Sequence, residues 1–317
     1  MAMISAILGL VGAAVYGSAD FLGGLAAKRM RSVTVTAIAA VAGLVLLLAS
    51  YPFLGGSWTT ADVAWGAVSG VFGVFAIVLL YACLAIGPMS ILSPLTAVVS
   101  AVAPMLWGLT VKGEQLSAIG YAGLGVALVA VVLVGFIPSA AVVRPSLRGI
   151  LMAIGSGVAI GGFLVSVDQT SDDSGVVPLI VNRAVNGAIT WIIVGILVLV
   201  AARRRVPAHR DVLDLPLGPT PTGHADLEHA DSALRLRGPL RTALWLAVAC
   251  GVVDAAANVL MLIALRLGDL SIVSVLTAMY PAGTILLAAI VLRERIAAVQ
   301  WIGLALALVA GGMFALA

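Results

Sequence analysis

Residues 87–101 read GPMSILSPLTAVVSA and residues 268–282 read GDLSIVSVLTAMYPA. At a constant offset Ser90 meets Ser271, Ile91 meets Ile272 and Ser93 meets Ser274. Leu95-Thr96-Ala97 then meets Leu276-Thr277-Ala278, and Ala101 meets Ala282. After a one-residue slip, GEQLSAIGYAGLGVALVA from Gly113 runs against RERIAAVQWIGLALALVA from Arg293, which sets Glu114 opposite Glu294 and Gly123 opposite Gly303. Self-similarity at this distance marks a chain assembled from two like units.

The composition decides what surrounds those units. Hydrophobic residues make up 62% of the chain and charged residues 10%, with a mean hydropathy of +1.19. A soluble domain is about a quarter charged. Here the apolar residues gather in blocks long enough to cross a hydrocarbon core of roughly 30 Å. The short alternating segments of an outer-membrane barrel are missing, so the blocks are read as helices. Ten spans are expected, near 4–27, 33–54, 61–86, 88–111, 115–137, 148–167, 176–202, 241–266, 269–292 and 296–316. The first lacks a basic n-region and outruns the roughly 7–15 residues of a signal-peptide core, and is read as a retained span.

Turns as short as Gly87-Pro88 and Gly268-Asp269 force antiparallel neighbours. Five spans per unit is an odd number, so the second unit lies upside down relative to the first. The expected architecture is an all-α polytopic membrane protein of two inverted five-helix repeats, 1–137 and 148–317, joined by 138–147. Residues 203–240, rich in proline and mixed charge, read as a hydrophilic loop interrupting the second repeat. Folds of this type hold their ligand near the midplane, between the repeats.

Several function classes drop out. All three histidines, His209, His224 and His229, fall in the 203–240 loop without ligand spacing, so neither a metal nor another cofactor is expected. Cys83 and Cys250 lie in apolar runs and read as small core hydrophobes. The net charge of +3 reflects basic membrane loops rather than nucleic-acid binding. With no histidine in a span, and Asp172-Asp173 in a loop without a companion motif, an intramembrane enzyme is not expected.

Polar residues within the spans are few, and each is expensive there. Asp254 and Asn258 share one face of span eight at i, i+4 spacing, and are the first candidates for substrate contact. Asp20 in span one, with Ser18 beside it, is the next. Asp254 and Asp20 are also the proton-coupling candidates. Tyr81 and Tyr280 are candidate lining residues. Arg183, between Asn182 and Asn186 in span seven, is expected to snorkel toward its nearer interface. Pro94 and Pro104 interrupt span four and Pro281 span nine, freeing backbone carbonyls where a gate is useful. Glycine pairs such as Gly66 and Gly70, or Gly157 and Gly161, make faces for close helix approach.

These features resemble the EamA-like branch of the drug/metabolite transporter superfamily. The likeness covers nearly the whole chain outside the 203–240 loop. It rests on the two LTA hairpins, each followed by an acidic turn, VKGEQLS and VLRERIA, ahead of a glycine-containing fifth or tenth span. The resemblance implies a ten-helix bundle that exports or exchanges small metabolites through a central cavity, with span seven at the periphery. The expected function is a secondary transporter of a small polar metabolite such as an amino acid, working by alternating access. Multidrug or cation efflux is the alternative, and a channel or intramembrane enzyme stands behind both. The expected partners are the lipid bilayer, a small-molecule substrate and protons as candidate coupling ion, in a monomer or homodimer of a bacterial plasma membrane. Basic residues collect on the face bearing Lys28, Arg29, Arg31, Arg144 and Arg148, which makes that face cytoplasmic and the termini external; the resemblance implies the opposite.

Overall fold

The computed structural model describes residues 2–27, 30, 32–86, 89–135, 146–203, 240–292 and 296–316. They form α1 (Ala2–Ala27), α2 (Ser32–Leu54), α3 (Thr60–Ile86), α4 (Met89–Thr110), α5 (Ala118–Gly135), α6 (Leu147–Asp168), α7 (Val177–Arg203) and α8 (Leu240–Leu267). After these come α9 (Leu270–Thr277), α10 (Tyr280–Leu287), a π-helical turn (Ala288–Leu292) and α11 (Ala298–Ala315). No strand occurs among the described residues. Among the described residues nine segments are long and apolar enough to cross a membrane, and α4 adds a shorter apolar stretch, Leu95–Thr110. The chain is thus an all-α membrane protein, and its spans fall close to the expected boundaries. The loops at 136–145 and 204–239 and the turn Gly87-Pro88 lie outside the described residues.

The ninth span is built from pieces because of Pro281. A proline ring clashes with the carbonyl four residues earlier, which here belongs to Thr277, and α9 ends at that residue. The chain steps through Ala278 and Met279, whose N–H groups return to Ser274 O at 3.0 Å and Leu276 O at 3.1 Å, before α10 begins. Span four corrects the expectation of a matching interruption. It runs as one helix through Pro94 and Pro104. Pro104 is seated where α6 has no side chain: a Cβ on Gly161 would stand 2.8 Å from its Cδ. The side chain of Pro94 lies outside the described residues.

Helix packing is reciprocal between the halves. α1 packs on α8 and α10, while α6 packs on α3 and α4; α2 packs on α8 and α3 on α7; α5 pairs with α11. Glycines allow the closest crossings. A Cβ at Gly66 or Gly70 of α3 would lie 2.8 Å from the carbonyl oxygen of Pro178 or Asn182 on α7. At Gly251 it would strike the Ala39 carbonyl on α2, and at Gly17 the Tyr280 carbonyl on α10. There Thr284 Oγ1 donates to Gly17 O at 2.8 Å.

Because these obstacles are backbone, they cannot yield as a side chain would. Gly17→Val is therefore expected to lose about 1–3 kcal/mol. Gly125→Val, a site with nothing within 4 Å, should leave stability near wild type. Thermal unfolding of the two detergent-solubilised variants checks the pair, and equal melting would show that the α1–α10 crossing is not tight.

Candidate functional site

Polar side chains that cannot face lipid turn inward, and the bundle gathers them around a cavity of about 290 Å³. That is near the lower end of the roughly 300–1,000 Å³ common for ligand pockets. Along α1 its wall runs from Tyr16, past the helix midpoint, to Ala27, the last helical residue. At 1.5 Å per residue this stretch spans about 16 Å, so the cavity extends from mid-depth toward the face where α1 ends.

Asp254 and Asn258 of α8 are both on the wall. The Asn258 amide donates to Asp254 O at 2.7 Å and to Asp254 Oδ2 at 3.3 Å, fixing the pair on one helix face. Across the bundle, Arg183 of α7 forms a salt bridge to Asp254 Oδ2. Its side chain is only 13% exposed. The expected snorkelling is therefore corrected: Arg183 points inward, where the Asp254 carboxylate pairs with it. Asn182 and Asn186 line the same cavity. The peripheral place expected for span seven is thereby corrected for its N-terminal half.

Asp20 and Tyr280 also line the cavity, joined by Tyr16 and Thr277, the residue at the α9 break. Ser18 does not: its hydroxyl donates to Ala14 O of its own helix at 2.8 Å. The side chain of Tyr81 lies outside the described residues. Cys250, read as a core hydrophobe, stands on the cavity wall. Tyr16, Asn182, Asn186, Thr277 and Cys250 were not singled out as site residues by sequence. Only the i, i+4 spacing of Asn182 and Asn186 hinted at a polar face.

The opposite end of the bundle is tied together by polar contacts, most of them between the halves. Lys112, after α4, pairs with Asp168 at the end of α6 at 2.9 Å and lies 3.7 Å from Glu114. Glu114 accepts from the N–H groups of Leu270 at 2.9 Å and Ser271 at 3.0 Å, and from Ser271 Oγ. A carboxylate from the first half thus caps α9 of the second, where a helix N-terminus favours negative charge. Asp62 accepts from Ser171 N at 2.7 Å and Oγ at 2.8 Å. Ser57 N–H reaches Asp173 O at 2.8 Å, and within the second half Arg266 donates to Thr170 O and Oγ1, each at 2.5 Å. Burial, aided by the nearby Glu114 carboxylate, pushes Asp269 above the usual carboxylate range, while Lys112 opposes the shift.

Comparison with known proteins agrees with this architecture. One solved structure, described only as a crystal structure of a protein, covers 98% of this chain and 97% of its own, with a TM-score of 0.67 and 17% identity. At that identity the likeness concerns the fold alone. No curated protein matches the chain. Residues 230–315, which include α8 to α11, match the EamA-like transporter family. In that segment, somewhat over a quarter of its length, the chain is similar to the EamA-like transporters.

Proposed function

We propose that the protein is a secondary transporter, an exporter or exchanger, that carries a small polar metabolite bearing an amine, amino acids being the first class to test. It works by alternating access. The two halves, 1–137 and 148–317, act as inverted repeats, a reading supported by the reciprocal helix packing and the repeated LTA hairpins. The observation that carries the proposal is a mid-depth cavity with an ion pair and a further carboxylate on its wall, extending toward one face and barred from the other by bonds between the halves. Substrate enters from the open face and contacts Asp20, Tyr280 and the Asp254–Asn258 pair. The break at Thr277–Tyr280, made by Pro281, is the hinge about which the second half re-seals. The membrane is a bacterial plasma membrane.

The test is counterflow in proteoliposomes preloaded with unlabelled amino acids or amines. Saturable accumulation of the labelled solute, absent from empty liposomes, is expected. A voltage-driven conductance without counterflow would make the protein a channel, and no movement of any solute in either class would remove the proposal.

A further inference from the structure

Three charged side chains line the cavity, and two of them, Arg183 and Asp254, hold one another. Asp20 is the third. Among the described residues its carboxylate takes part in no hydrogen bond or ion pair, although its field reaches Tyr16, Tyr280 and Cys250. With Asp20 ionised, the state that a bound cation would favour, the walls carry one more negative than positive charge. The rest of the lining is largely apolar, with Ile77, Leu80, Ile160, Phe163 and Leu164.

We infer that the cavity takes an organic monocation, an amine with an apolar body, whose protonated nitrogen sits on Asp20 while the Arg183–Asp254 pair closes the wall beside it. The inference rests on the transporter reading above and narrows its solutes to those with a net positive charge, such as monoamines and basic amino acids. A single positive charge brings the occupied cavity to neutrality, the cheapest condition for a site cut off from water. An ammonium supplies several N–H donors to the Asp20 carboxylate. The faces of Tyr16 and Tyr280 suit a cation as well. A neutral zwitterion fits worse: it leaves the excess charge uncancelled, and its carboxylate must compete with Asp254 for Arg183. A cation seated on Asp254 instead would lie beside the guanidinium.

The experiment uses four probes with one aromatic body and different charges: phenylethylamine, phenylethanol, phenylalanine and phenylpropionate. Each is tested by thermal shift and counterflow on the reconstituted full chain. Phenylethylamine is expected to bind at least about tenfold more tightly than phenylalanine, with the alcohol and the acid inactive. Asp20→Asn should lose amine binding by about tenfold or more while keeping its melting temperature, and Asp20→Glu should recover most of it. Preference for phenylalanine, amine binding indifferent to Asp20→Asn, or no amine binding at all would each overturn the inference. If phenylalanine is carried and the amine is not, the transporter reading stands while the monocation site falls. If neither these probes nor the amino acids above are moved, both fall.

Discussion

Replacing Arg183 with leucine is expected to destabilise the protein by about 3 kcal/mol, the low end of the ~3–5 kcal/mol range for breaking a buried ion pair. The low end applies because the Asp254 side chain keeps 25% of its surface exposed, so cavity water softens its isolation. Asp254→Asn should cost a similar amount by stranding the guanidinium. The double variant should recover most of the loss, because it buries no unpaired charge. Unfolding of the four proteins in detergent closes the cycle: the double variant should lose less than either single variant, so the coupling should exceed about 3 kcal/mol. Additive single losses would mean that the two side chains stabilise the fold separately. The pair matters because α2 packs on both α7 and α8 and stands between them. Past Gly43 of α2, where an added Cβ would lie in van der Waals contact with it, the Arg183 side chain reaches Asp254.

This contact also shows where the sequence stops being informative. Asp254 and Asn258 were legible because an acid inside an apolar run is costly, and the spacing put both on one face. Their partner was not legible, since salt-bridge choice across a bundle depends on which helices surround α2, and hydropathy carries no record of that. Arg183 accordingly read as a snorkelling residue by its distance from the span end. The ten spans themselves were plain from apolar run length and from the glycine and proline turns. Proline was a weaker guide: Pro281 breaks its helix, whereas α4 runs on through Pro104, whose ring lies against Gly161. The acidic turn at Glu114 stood out as part of the repeat, yet its role as a cap on a helix of the other half became visible only once α9 was seen to start there.

Loss of that cap should move the protein between its two faces. Glu114, 7% exposed at its side chain, accepts three hydrogen bonds from the start of α9. Bonds to a charged group contribute about 1.5–3 kcal/mol each when singly removed, but water replaces part of the loss once the seal loosens. Glu114→Ala is therefore expected to disfavour the sealed conformation by roughly 2–3 kcal/mol, which is on the order of 30- to 150-fold in population. The natural Cys250 reports the change, because it lies on the cavity wall. With Cys83 replaced by serine, a membrane-impermeant maleimide should label Cys250 only from the open face in otherwise unaltered protein. In Glu114→Ala, labelling from the sealed face should appear and rise by at least tenfold, while labelling from the open face falls. Unchanged one-sided labelling would show that the cap serves α9 alone and does not hold the halves together. Lys112→Met should act in the same direction but more weakly, since its side chain is 36% exposed and solvent screens that pairing. The order Glu114 before Lys112 follows from burial: the seal depends most on the contact that water reaches least.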